Sequence, residues 1–288
     1  MTPAVSVVIR CRDEAAHLAS VLEAVLAQSG APAFEVLALD SGSRDGTLDL
    51  LARHPVRVER LPPGSFSFGR ALNRGAALAG GEVLVHLSAH CRPLTRDWLA
   101  ALTAPFADAA VVATVGRQVP VPGVNPIEAI GMERNFPPAP PARVTFSNAN
   151  GALRRAAVLA RPFDEDIPAA EDHLWACGVG PAERIVYVPA AAVAHSHPMT
   201  FREWRFRFYI NGLAVEYARR RGVELPWGGD TVGGVLFGRV GAFMRLAGTL
   251  ARSGALPALA RLPSYAVART FWYARGVREG ARRYGGGR

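Results

Sequence analysis

The sequence predicts an α/β domain built on a doubly wound, mostly parallel sheet and followed by a helical basic extension. Three observations predict it. Short apolar runs alternate with amphipathic stretches through the first 115 residues. Polar and charged residues follow three of those runs directly. The charge is also uneven: residues 201–288 hold 16 Arg against five acids, whereas residues 1–200 hold 17 Arg against 19 acids. The net +9 therefore belongs to the C-terminal part of the chain.

Residues 5–9 (VSVVI) form a run suited to a buried strand, and Leu18, Val21, Leu22, Val25 and Leu26 follow at helical spacing. Residues 36–39 (VLAL) make a second strand that ends at Asp40, and the turn SGSRDGT leads into a helix near 48–52. Residues 56–60 read as a third strand, 70–79 as a helix stopped by Gly80-Gly81, 83–87 as a strand, 98–106 as a helix and 111–115 as a strand. Strands alternating with helices imply parallel pairing. The Pro-rich stretch 120–143 is expected to be a surface connection or a flap over a cleft. Residues 144–198 return to α/β signals. Thr200 and Glu203 then make a capping-box pattern that opens a helix over 201–221. Residues 231–288 read as two Arg-studded apolar helices broken by Pro257 and Pro263. The expected division is a domain over 1–221, with a ligand-binding half 1–118 and a second half 144–221, and an extension over 222–288.

Every one of the 33 basic residues is arginine. A chain without lysine has no Walker A loop, no Schiff-base lysine and no kinase-type phosphate lysine. Cys11, Cys91 and Cys177 stand far apart and form no disulfide framework, as in a reducing compartment. The opening MTPAVSVVIR lacks a basic, long-apolar leader pattern, so a cytoplasmic protein is expected.

In an open parallel sheet, ligands bind beyond the carboxyl ends of the strands. Arg10, Cys11, Arg12, Asp13 and Glu14 follow the first strand, Asp40 and Ser41 the second, and Ser88, Ala89, His90 and Cys91 the strand at 83–87. Three such clusters at one edge point to a polar ligand. The first strand–helix turn, RCRDEAAH, contains no glycine, which excludes a dinucleotide cradle there. Arg10, Arg12, Arg70 and Arg92 are placed to meet phosphate oxygens with guanidinium forks.

Taken together, VSVVIRCRDEAAHL, VLALDSGSRDGT and FGRALNRGAALAGGEVLVHLSAHCRP resemble a family 2 glycosyltransferase of the GT-A fold. PFDEDIPAAEDHLWA and VYVPAAAVAHSHP resemble the acceptor half of bacterial rhamnosyltransferase-like members. The resemblance spans about residues 4–220. It implies an inverting hexosyl or deoxyhexosyl transfer from a nucleotide-diphosphate sugar to a glycan or lipid-linked acceptor. It also implies that Arg10, Arg12, Glu14, Asp40 and Ser41 cup the nucleoside. Asn73 and Gly75 match the family's Arg-Asn-x-Gly helix motif beside the diphosphate; Leu72 replaces the arginine, and Arg70 stands close enough to compensate.

The family places a metal-binding acid pair where this chain reads Ser88-Ala89-His90-Cys91, with no carboxylate. Two alternatives follow. Either His90 holds a divalent cation (Mn²⁺ or Mg²⁺) with His195 or His197, or arginines alone neutralise the leaving diphosphate. His195 and His197 follow an apolar run at alternate positions, which sends both side chains the same way on an extended segment. Glu171-Asp172 matches the family's Glu-Asp motif, which implies Asp172 as general base, with Glu171 orienting the acceptor or an arginine. Asn148, Asn150 and Trp175 are the expected acceptor contacts. The missing acid pair also leaves open an inactive nucleotide-sugar-binding or scaffold subunit.

Beyond residue 200, aromatic residues such as Trp204, Phe208, Phe271 and Trp272 are interleaved with arginines. Basic amphipathic helices of this kind suit an anionic membrane surface or a homo-oligomer interface. No nucleic-acid motif accompanies them. A peripheral enzyme on the inner face of the cell membrane is the expectation.

Overall fold

The computed structural model describes residues 3–195, 200–225 and 243–285. His197 and the expected tail residues between 226 and 242 lie outside the described residues.

Eight strands make one sheet in the order β3-β2-β1-β4-β7-β6-β8-β5. They are β1 (Val5–Cys11), β2 (Phe34–Asp40), β3 (Arg57–Arg60), β4 (Val83–Ser88), β5 (Cys91–Pro93), β6 (Val111–Pro120), β7 (Asn150–Arg154) and β8 (Arg184–His195). The pairs β1–β2, β1–β4, β2–β3 and β6–β8 are parallel. β7 enters antiparallel between β4 and β6, and β5 runs antiparallel to β8 on the edge. β4 and β6 therefore share a direction, and only β7 and β5 oppose the other six strands.

Alternation along β1 divides the core into two layers. Val5, Val7 and Ile9 pack against Leu18, Val21 and Leu22 of α1 (Ala15–Leu26), and this layer continues to Trp98 and Leu102 of α4 (Trp98–Thr103). In sequence between them lie α2 (Thr47–Leu51) and α3 (Phe68–Leu78). Val8 faces the other way, in a cluster with Leu37, Leu39 and Ala71 of α3. The same face carries Leu72, Leu84, Leu153, Phe163 and Trp175. A 3₁₀ turn over Ala104–Ala107 precedes β6.

The Pro-rich connection holds a helix that the sequence reading missed, α5 (Pro126–Asn135). Asn125 caps it by accepting from the Ile127 N–H at 3.0 Å, and Pro126 occupies the first turn, where a missing N–H costs nothing. α6 (Arg155–Ala160) and α7 (Glu171–Cys177) follow β7. α8 (Phe201–Arg219) opens on the expected capping box of Thr200 and Glu203.

The C-terminal end differs from expectation. Beyond α9 (243–252), a single helix α10 (Leu256–Arg283) runs through Pro263. Pro257 sits in its first turn and does not break it. Proline removes one interior hydrogen bond, but α10 is held along its length by α8. A Cβ on Gly276 would meet the Tyr209 carbonyl oxygen at 2.1 Å, and one on Gly212 would meet that of Tyr273 at 2.3 Å. α5, α8, α9 and α10 share a core of Ile127, Trp204, Leu250, Ala258 and Leu262.

Candidate active site at the sheet edge

The carboxyl edge of the sheet brings distant segments together through register alone. Arg10 is level with Ser88 across β1–β4, and Leu87 is level with Asn150 across β4–β7. Further along, His195 is level with both Cys91 and Pro120.

At the centre, one residue grips two carboxylates. Asn148 is buried just before β7. Its backbone N–H donates to Asp172 Oδ2 at 3.1 Å, and its Nδ2 donates to Glu171 Oε1 at 3.0 Å. Its remaining side-chain polar atom, Oδ1, lies 2.8 Å from His86 Nδ1. Because Nδ2 is turned to Glu171, Oδ1 is the acceptor and His86 donates. Burial pushes the His86 imidazole down to about 3, so it is neutral. Its Nε2 is buried without a hydrogen-bond partner among the described residues.

The two acids open α7 from a left-handed Ala170 (φ 65°). Glu171 is buried. Burial foremost, and then the charge of Asp172, push its carboxyl up to about 7, against the opposing pull of Arg10. Asp172 keeps 17% of its side chain exposed and also accepts from the His173 N–H at 2.8 Å. One acid is therefore enclosed and the other reaches the surface. Arg10 NH1 lies 3.9 Å from Glu171 Oε1, and its guanidinium stacks 5.1 Å from the Phe68 ring centroid. This arginine joins the first strand to the helix that carries the acids.

A second cluster lies along the same edge. His90 and His195 stack with ring centroids 5.2 Å apart. His90 Nδ1 is 2.9 Å from Glu14 Oε1, and His195 Nδ1 is 2.6 Å from Gln118 Oε1. The Gln118 amide nitrogen donates to Ser147 Oγ at 3.1 Å, which assigns its oxygen as the acceptor facing His195. An oxygen acceptor on each Nδ1 is the arrangement found in the outer shell of metal-ligating histidines, where Nε2 is the nitrogen that takes the metal. The ligand atoms of His90, Cys91 and His195 lie within 4.8 Å of one another. Burial pushes the Cys91 thiol up, so the two imidazoles are the ready donors. This donor set fits a divalent cation of Mn²⁺ or softer type better than the oxygen-seeking Mg²⁺.

Other expected residues have structural partners. The Asp40 carboxylate accepts from the Gly42 and Ser43 N–H groups and from Ser43 Oγ, folding its own turn. Ser41 donates its N–H to the Cys11 carbonyl at 3.1 Å, tying that turn to the end of β1. Arg12 is exposed beside these loops, and Ala89 is buried. Arg70 donates to Glu165 at 3.0 Å, and Asn73 bonds Glu165 and the Phe163 carbonyl rather than facing an open cleft.

The acceptor expectations change most. Asn150 accepts from Trp98 Nε1 at 3.0 Å and donates to the carbonyls of Arg117 and Ala191. Trp175 donates to the Arg161 carbonyl at 2.8 Å and packs among Phe146, Phe163 and the Arg161 guanidinium. Both are enclosed, with their polar atoms committed inside the fold, because β7 is an interior strand and Trp175 packs into the core beside Phe146, Leu153 and Phe163. Asn148 likewise spends its amide on protein partners. His86, Gln118 and Ser147 were missed by the sequence reading. A histidine within the apolar strand VLVHLS was the available signal, since a buried polar group needs a partner.

The family model for glycosyl transferase family 2 matches residues 6–159. The O-antigen chain rhamnosyltransferase RfbN of Salmonella typhimurium is 26% identical over 210 residues, covering 67% of each chain. Among solved structures, the mannosyltransferase PcManGT from Pyrobaculum calidifontis, in complex with GDP-Man and Mn²⁺, aligns at TM-score 0.62 and 18% identity. The alignment covers 97% of this chain and 87% of that one. Glucosyl-3-phosphoglycerate synthase from Mycobacterium tuberculosis, with Mn²⁺, UDP-Glc and phosphoglyceric acid, aligns at TM-score 0.57 and 18% identity, over 74% and 79% of the two chains. The family match over more than half the chain, with the fold shared by these structures, leads to one conclusion: the chain belongs to glycosyl transferase family 2 and is a nucleotide-sugar glycosyltransferase of the GT-A fold.

Proposed function

We propose that this enzyme transfers a hexosyl or deoxyhexosyl group with inversion, onto a hydroxyl of a glycan or lipid-linked acceptor, with Asp172 as general base. The observation that carries this reading is the pair of unlike acids held by Asn148. Asp172 is reachable and locked by two backbone N–H donors, while Glu171 is enclosed beside Arg10.

In this reading the acceptor oxygen forms its bond to the anomeric carbon while the bond from that carbon to the diphosphate oxygen breaks. The acceptor proton passes to the Asp172 carboxylate, and the nucleoside diphosphate leaves with the bonding electron pair. Glu171 and Asn148 position Asp172, and Arg10 adds positive charge where the donor half meets α7. His90 and His195 would hold a divalent cation, which supplies positive charge to the leaving diphosphate. The Mn²⁺ in the PcManGT and glucosyl-3-phosphoglycerate synthase complexes supports a cation of this kind here. The relatives named for rhamnose, mannose and glucose transfer support the donor class.

The test begins with a thermal-shift screen of UDP-, GDP- and dTDP-sugars, with and without Mn²⁺. One base class should raise the melting temperature, more so with Mn²⁺. With that donor, NMR of the product should give the anomeric configuration opposite to the donor's. Asp172→Asn should keep the donor-induced shift and lose about 10²–10⁴-fold in kcat. Near-normal turnover in that variant removes Asp172 from the role, and retained configuration rejects inversion.

A further inference from the structure

Tyr217 and Tyr284 of the α8–α10 pair pack on Ala170 and Leu174 at α7, but the outer face of the pair holds none of the residues gathered at the sheet edge. The two helices run parallel: Arg205 lies over Trp272, Gly212 against Tyr273, and Tyr217 against Tyr284. Arg202, Arg205, Phe206 and Tyr209 recur at the spacing of one helical face. With Trp272 they line an open cleft of about 300 Å³.

The charges of this face are unusual for a folded surface. The Arg205 and Arg275 guanidinium carbons lie 4.3 and 5.0 Å from the Trp272 ring centroid. Two like charges thus converge on one indole. The acids of these helices are engaged elsewhere: Glu203 in the cap at Thr200, Glu216 with Arg219 and Arg220, and Glu279 with Arg283. Among the described residues, no carboxylate pairs with Arg202, Arg205 or Arg275. Beside them, Phe206 is 62% and Phe271 59% exposed.

Guanidinium forks match phosphate oxygens, and aromatic rings settle at the level of lipid headgroups. We propose that the α8–α10 face docks on an anionic phospholipid surface. Headgroup phosphates would meet the guanidinium groups of Arg202, Arg205 and Arg275, and the largely apolar cleft beside Trp272, with Phe206 and Phe271, would face the acyl boundary. A second copy presenting the same face would set arginine against arginine, so charge complementarity favours lipid. Among the described residues no helix is long and apolar enough to cross a membrane, and the proposed contact is with the surface only. This inference is independent of the transfer reading, because the residues of the face and those of the sheet edge do not overlap.

The experiment is co-sedimentation of the full chain with phosphatidylcholine vesicles, with and without phosphatidylglycerol. Binding should require phosphatidylglycerol and weaken with salt. Arg202→Gln/Arg205→Gln should reduce it roughly thirtyfold. Phe206→Ser/Phe271→Ser should reduce it without changing charge, and both variants should melt at the parent temperature. Absence of phosphatidylglycerol-dependent binding in the parent overturns the proposal, as does parent-like binding by well-folded Phe206→Ser/Phe271→Ser. A dimer seen by light scattering and dissolved by the same substitutions assigns the face to a second copy and also overturns it.

Discussion

Arg10 and Arg205 each lie over an aromatic ring, at 5.1 and 4.3 Å, yet the two regions they mark are built on opposite principles. At the sheet edge the arginine is enclosed, with 15% of its side chain exposed, and faces an acid that is more enclosed still. On the α8–α10 face Arg202 and Arg275 are exposed and Arg205 half-exposed beside exposed phenyl rings, and they meet no acid among the described residues. Burial makes each charge at the sheet edge depend on its neighbours, through low dielectric and fixed hydrogen bonds. Exposure leaves the charges on the helix face to solvent and to whatever anion arrives. The same pair of residue types thus holds a preorganised site in one place and an adaptable surface in the other.

Three variants sharpen this contrast. The largest effect is expected from Gly276→Ala, whose Cβ would stand 2.1 Å from the Tyr209 carbonyl oxygen. Forcing α8 and α10 apart should cost about 3 kcal/mol in denaturant unfolding and leave the donor-induced thermal shift in place. An unchanged unfolding midpoint would show that the helix pair does not depend on this close approach.

Asn148→Ala comes next. It removes the amide between His86 and Glu171 and leaves two buried partners unmatched. A loss of about 1–3 kcal/mol is expected, together with a fall in kcat at nearly constant donor KM. A change confined to KM would make Asn148 a substrate contact instead of a positioning residue.

The smallest effect is a pH dependence. Glu171 has its carboxyl raised to about 7 in the folded chain, above its ordinary value. The folded state then holds a proton that the unfolded state has released. Stability from this group is fully present below the unfolded pKa and is lost as pH rises through the folded value of about 7. Urea midpoints measured across this window should fall with rising pH in the parent and flatten in Glu171→Gln. Parallel curves would mean that Glu171 is as well solvated as an ordinary glutamate.

Much of the first half of the molecule was legible because its signals are local. Runs such as VSVVI and VLAL specify strands, and the capping box at Thr200 and Glu203 marks where α8 begins. The pairing of Glu171 with Asp172 at a helix start was legible for the same reason. The burial of Asn148, Asn150 and Trp175 was not. Asn-x-Asn-Gly reads equally as a turn, and nothing nearby in the chain says that β7 will insert between β4 and β6. That insertion alone encloses Asn150 and aims Asn148 at both acids.

By itself, the sequence determined the alternating strands and helices, the polar residues that end the strands, the excess of arginine in the C-terminal part, and the missing acid pair at Ser88–Cys91. These properties need only neighbours within a turn or a strand. Tertiary structure alone decided which acid would be enclosed, which asparagine would grip it, that His90 and His195 would stack, and that Pro263 would ride inside a continuous α10. Burial and pairing over separations as wide as the 105 residues between His90 and His195 are set by sheet register and helix packing, whose energies are summed over the whole fold.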